Sequence, residues 1–127
     1  MNAFMGTLIS DGSVWTVFMK QSDLNTGPRP ELFVFMDVHE DFLDESLFDL
    51  GYDVGYFKEL WGHLPTARHS RRATLSLIDG HVEAHRWKDN LTQQPITGIY
   101  RHGGLRAAGS QDFHFVWQRA TKNKLEP

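Results

Sequence analysis

Ala73-Thr74-Leu75-Ser76-Leu77-Ile78-Asp79-Gly80-His81-Val82-Glu83-Ala84-His85-Arg86-Trp87 is the stretch whose reading decides the fold. Asp-Gly between two alternating runs is a strong β-hairpin signal, because a two-residue type I′ turn needs positive φ at both central positions. That turn places Leu77 opposite Val82, Ser76 opposite Glu83, Leu75 opposite Ala84 and Thr74 opposite His85. One face then carries Ala73, Leu75, Leu77, Val82 and Ala84. The other carries Thr74, Ser76, His81, Glu83 and His85. Such sorting is what a half-buried antiparallel sheet requires, and a one-residue slip would mix the faces.

Upstream, Leu32-Phe33-Val34-Phe35-Met36 is apolar on both faces, which predicts a central strand covered on two sides. Val14 to Lys20, rich in Val, Trp, Thr and Phe, predicts a strand after the Asp11-Gly12-Ser13 turn. Gly27-Pro28-Arg29-Pro30 breaks the chain between the two. Asp37 to Asp49 is acidic with Phe42, Leu43, Leu47 and Phe48 interleaved, a pattern for a short helix or ordered loop. Gly51 to Leu64 reads as a loop with a short strand. Downstream, Asn90 to Gly109 is loop-like. Ser110 or Gln111 then starts a last helix, with Phe113, Val116, Trp117 and Ala120 forming one apolar stripe. Residues 122–127 fray. The expected fold is α+β: a small antiparallel sheet with a hairpin at 73–87 and one or two short helices, in a single domain over 1–127.

Composition narrows the function. Of 127 residues, 40 % are hydrophobic and 13 % aromatic, enough to bury a core. A formal net charge of −3 leaves no electrostatic footprint for a general nucleic-acid binder. There is no cysteine, hence neither disulfide nor thiolate chemistry. No apolar run approaches the roughly 20 residues that cross a bilayer, and Met1 to Gly6 lacks the basic flank of a secretory signal. Such a chain, with no signal or anchor, is expected in the cytoplasm and off the membrane.

His69, the nine residues after it and then Asp79-Gly80 also make a signature. Together with Met1 to Phe4, Val14 to Leu24, Glu31 to Asp41 and the closing Asp112 to Thr121, it resembles the type II secretion-like pseudopilins. These are prepilin-type proteins of planctomycete and verrucomicrobial lineages, with this pattern in their C-terminal domain. The likeness covers nearly the whole chain. It implies a pseudopilin head-like fold, a structural or binding role, other pseudopilin subunits as partners, and a periplasmic pseudopilus anchored in the inner membrane. Two departures bear on this. The family begins with a processing site and a long apolar helix, so this chain is expected to be a truncated, soluble head that does not assemble by itself. Between His69 and the following strand, members usually carry small residues such as Gly and Asn. Here Ser70-Arg71-Arg72 puts two cations beside His69.

Asp37, His39 and Asp41 alternate at the end of the apolar strand, with Glu40 and Asp44 adding carboxylates. Oxygen-rich loops suit calcium, which takes about six to eight oxygen ligands; the alternative is a solvated acidic loop. Calcium sites in related major pseudopilins point the same way by resemblance. His81, Glu83 and His85 project from one face of a strand at intervals of about 7 Å. Two imidazoles and a carboxylate can hold zinc, and the alternative is a solvated polar face. His69 is either a buried, hydrogen-bonded histidine at the start of the hairpin, or a base or ligand beside Arg71 and Arg72.

The rival to a binding role is a small hydrolase of glycosidic or ester bonds. Paired carboxylates are the basis of glycoside hydrolysis; Asp37, Glu40, Asp41 and Glu83 are the acid–base candidates, with His39, His69 or His81 assisting. Glu83 and Asp89 form a second carboxylate pair. Trp15, Trp61, Trp87 and Trp117 offer stacking faces for a carbohydrate ligand, against the commoner role of core packing. The chain has no Gly-x-Ser-x-Gly elbow, no phosphate-binding glycine loop and no His-Glu-x-x-His helix.

Overall fold

The computed structural model describes residues 1–2, 18, 21–24, 31–43, 47–51, 59–101 and 103–121. In chain order its elements are helix α1 (Gln21–Leu24), strands β1 (Phe33–Met36), β2 (Leu50–Gly51), β3 (Leu60–Trp61), β4 (Arg72–Leu77), β5 (Val82–Arg86) and β6 (Leu105–Arg106), and helix α2 (Gln111–Ala120). Short 3₁₀ turns cover Glu40–Phe42 and Asn90–Gln93. The strands make two antiparallel three-stranded sheets, in the orders β1-β4-β5 and β2-β3-β6. The fold is α+β, as expected. The strand expected over Val14–Lys20 lies outside the described residues except for Phe18, which is buried. The Asp11-Gly12-Ser13 turn, the break at 27–30 and the tail at 122–127 lie outside them too.

The hairpin forms where expected but in a different register. Arg72 pairs with Arg86, Ala73 with His85, Thr74 with Ala84, Leu75 with Glu83 and Ser76 with Val82. The loop has three residues, Ile78-Asp79-Gly80, closed by Gly80 N donating to Leu77 O (3.0 Å) and Leu77 N donating to His81 O (2.9 Å). Only Gly80 is left-handed there, at φ 93°, so the type I′ turn, which needs positive φ at Asp79, does not form. The Asp79 carboxylate instead accepts from His81 N (3.2 Å) and pairs with His81 Nδ1 (2.6 Å), which holds the longer loop. One extra loop residue moves every β5 side chain to the other face. Ala73, Leu75 and Leu77 stay buried, while Val82 is 64 % exposed. Glu83 and His85, half-buried, now share the inner face with them.

β1 also departs from expectation. It is an edge strand, not a central one, and Phe35 stands 57 % exposed. A bulge between Phe33 and Phe35 re-aims its side chains, and Phe35 N donates to the Ser76 hydroxyl (3.2 Å). β4 takes the central place because its alternating pattern buries Ala73, Leu75 and Leu77 on one face.

The core lies beneath that face. Phe113, Val116 and Ala120 of α2 are buried in it and Trp117 is half-buried, the stripe read from the sequence. Ser110 caps the helix, its hydroxyl accepting from Phe113 N (3.0 Å). Trp61 meets Phe113 edge-on with centroids 5.1 Å apart, and Phe33 meets Phe48 likewise at 5.8 Å. Each such buried ring stabilises by about 1.5–3 kcal/mol through area removed from water. Asn2 ties the chain's start to this core. It is fully buried, and its amide donates to Phe33 O and Ala120 O at 2.9 Å each. Among the described residues no helix is long and apolar enough to cross a membrane.

Candidate functional site

The ionisable residues singled out in the sequence sort into three places. The first is the turn after β1. Here Val38 bridges to Pro65, His39 N donates to Leu64 O (2.8 Å) and Thr66 N donates to Asp37 O (3.0 Å). These bonds tie the chain ahead of the 3₁₀ turn Glu40–Phe42 to residues 64–66, and Arg101 N donating to Asp41 O (2.6 Å) brings the 94–101 loop against the turn. His39 Nδ1 accepts from Asp41 N (3.1 Å), so the ring proton sits on Nε2, which donates to Gln94 O (3.1 Å). The buried Asp41 carboxylate accepts from Thr97 N (2.9 Å), Thr97 Oγ1 (2.7 Å) and Gly98 N (2.9 Å). The Thr97 hydroxyl, then its amide, hold the Asp41 carboxyl below the usual carboxylate range; burial opposes them, and the Gly98 amide and His39 add to the lowering.

Both His39 and Asp41 therefore work as staples. The His39 Nδ1 lone pair and three acceptor positions of the Asp41 carboxylate are taken by the protein's own donors. Among the described residues no group of three or more His, Asp or Glu could hold a metal ion. The stapled loop presents Ile96, Ile99 and Tyr100 to solvent, and Ile99 is 71 % exposed. Loops held in place by a scaffold commonly carry binding residues.

The second place is a groove of about 330 Å³ between this loop and the turn before β4. His39, Thr66, Arg68, Arg71, Gln93 and Gln94 line it. Arg68 pairs with Glu40, whose other carboxylate oxygen is buried without a hydrogen bond. His69 is exposed in the turn, not buried on the apolar side. The strand begins only at Arg72, so the alternation does not reach back to His69. Ser70 and Arg71 both have left-handed backbones, φ 52° and 64°. Arg71 N donates to Ala67 O (3.1 Å) and Trp87 N to Arg71 O (2.8 Å), which closes the turn. Side chains with a Cβ adopt this backbone reluctantly, at roughly 1–2 kcal/mol per residue.

The third place is the inner face of β5. His85 stacks on Phe115 with centroids 3.5 Å apart, and the Arg119 guanidinium sits 3.8 Å from the same ring centre. At those distances the two must lie on opposite faces of Phe115. Burial pushes the His85 imidazole below the ordinary histidine value, against the pull of Asp112 and Glu83. His81 lies outside this stack, exposed and paired with Asp79. Glu83 and His85 share a face, opposite Leu75 and Ala73, but it is the core-facing one; His81 precedes β5 and stays in solvent.

Asp89 belongs to a clamp that sequence reasoning missed. Asp112 Oδ2 accepts from Lys88 N (3.0 Å) and Asp89 N (2.9 Å). Asp89 Oδ2 accepts from the Ser110 hydroxyl (2.5 Å) and Asp112 N (3.1 Å). This ties the end of β5 to the start of α2. Ser110 before an apolar stripe was the readable half of it. Trp61 and Trp87 are buried, and Trp87 Nε1 donates to Thr66 O (2.7 Å), so both rings pack the core. No protein-family model, curated protein or solved structure matches this chain significantly.

Proposed function

We propose that the chain is the head domain of a type II secretion-like pseudopilin, a structural and binding module whose partners are other pseudopilin subunits. One observation carries the reading: Ser70 and Arg71 are left-handed at φ 52° and 64°, directly after His69. That is where pseudopilins usually carry small residues such as Gly and Asn, and those two adopt this backbone most readily. The signature's own glycine, Gly80, is left-handed as well, at φ 93°. The binding role draws support from the loop that Asp41 holds in place, with Ile96, Ile99 and Tyr100 turned outward.

Glycoside hydrolysis needs two carboxyl groups about 5–10 Å apart across an open cleft. Asp41 and Asp89 are engaged by amides and hydroxyls of their own chain, which favours scaffolding over acid–base work. A photoreactive side chain in place of Ile99, introduced in the source cells, tests the proposal. Cross-links to pilin-like subunits are expected. Absence of such cross-links would overturn it. So would turnover of chromogenic glycosides or esters by the purified chain, lost in Asp37→Asn or Glu83→Gln variants that keep their melting temperature.

A further inference from the structure

β5 is an edge strand, and among the described residues nothing pairs with its outer side. Leu77 N donates to His81 O (2.9 Å) and Trp87 N donates to Arg71 O (2.8 Å). Antiparallel pairs alternate, so Glu83 and His85 also turn their backbone groups toward β4. The amides and carbonyls of Val82, Ala84 and Arg86 therefore point outward. Their side chains are exposed on the outer face of the sheet. A strand edge in this state is a template for another strand.

An unbalanced charge sits at the same place. Arg72 and Arg86 are direct cross-strand partners. By the same alternation theirs is the closer kind of pair, with Cα atoms about 4.5 Å apart and both side chains on one face. Like charges so placed are destabilising. Both arginines are exposed, and among the described residues neither makes an ion pair or hydrogen bond. The chain has 16 acidic residues, yet none of those described neutralises this pair.

We propose that this edge receives an extended acidic segment of a partner protein as a further strand. The outward backbone groups of Val82, Ala84 and Arg86 supply the ladder, as in other strand-addition complexes. A partner carboxylate opposite Arg86 bridges the two guanidinium groups, and small apolar side chains lie beside Ala84 and Val82. The recognition is charge plus extended backbone, and it stands apart from the pseudopilin reading.

Fluorescence polarisation with three labelled peptides tests this. The first alternates threonine with glutamate and valine, the second has lysine for glutamate, and the third carries N-methyl groups on alternate amides. The first is expected to bind saturably, and the other two about tenfold more weakly or worse. The Arg72→Gln, Arg86→Gln double variant is expected to weaken binding by a similar factor while melting higher than the parent, because the repulsion is gone. Ala84→Pro removes only an outward N–H, which an edge strand tolerates, so it should fold and lose the peptide. Three results would each overturn the proposal: no saturable binding at millimolar peptide, equal binding of the lysine peptide, or full binding by a folded Ala84→Pro chain. Sedimentation showing that a second copy occupies the edge, with the dimer lost in Ala84→Pro, would overturn it too.

Discussion

Arg71→Gly should be more stable than Arg71→Ala, against the usual order of these two residues. Both variants remove the guanidinium, so their difference isolates the Cβ atom. At φ 64° a Cβ crowds the backbone by roughly 1–2 kcal/mol. Glycine avoids that but loosens the unfolded chain, which returns about 0.4–1 kcal/mol. The net is about 0.5–1 kcal/mol in favour of glycine; within a regular strand or helix the same exchange favours alanine by about 0.5–1 kcal/mol. For 127 residues, an unfolding entropy of about 2.1 cal/mol/K per residue makes 1 kcal/mol worth about 4 °C. The glycine variant should therefore melt about 2–4 °C higher. The turn's bonds, Arg71 N to Ala67 O and Trp87 N to Arg71 O, involve backbone alone and survive in both. Urea unfolding followed by tryptophan fluorescence gives the difference, and equal m-values certify that the same transition is compared. If Arg71→Ala proves the more stable, the turn is not left-handed at Arg71, and its support for the family reading disappears.

Asp112→Ala removes the acceptor for Lys88 N and Asp89 N, each a bond to a charged group worth about 1.5–3 kcal/mol. A loss of about 3–5 kcal/mol is expected from urea midpoints, and a loss below about 1 kcal/mol would mean that water replaces the carboxylate. His85 has its folded pKa depressed by burial, so its contribution is complete above the unfolded value of about 6.5 and is lost as pH falls from there toward the folded value. Melting curves across that window should fall less steeply for His85→Phe, which keeps the stack on Phe115; parallel slopes would argue against the assignment. A Cβ on Gly103 would overlap Gly62 O, a backbone atom that cannot rotate aside. Gly103→Ala is therefore expected to lower stability by about 2 kcal/mol or more, and an unchanged thermal melt would contradict that contact.

The groove and the clamp show which parts of a site are readable from composition and which are not. Asp41 stood out because acidic residues cluster around it, and calcium was a reasonable reading of that cluster. Its use as a staple depends on Thr97 and Gly98, more than fifty positions away, whose donors arrive only through folding. Asp112 drew no notice, since one carboxylate in the first turn of a helix is ordinary. Its role follows from Lys88 and Asp89 being delivered beside it by the end of β5.

By itself the sequence determined the elements that rest on near neighbours. Alternation over 73–77 dictated which side chains β4 buries, Asp79-Gly80 located the reversal, and the spacing of Phe113, Val116 and Ala120 after Ser110 dictated α2 and its inner face. Tertiary structure decided the rest. Asp-Gly is compatible with a loop of two residues or of three, and the difference lies in the sign of one φ at Asp79. That choice sets which β5 residues face the core, and here the three-residue loop sends Val82 outward and brings His85 against Phe115. β1 became an edge because β4 already held the central place, not because of its own apolar residues. Local periodicity is written in residues two to four apart, whereas a partner such as Ala120 for Asn2, at a separation of 118, exists only once the chain has closed.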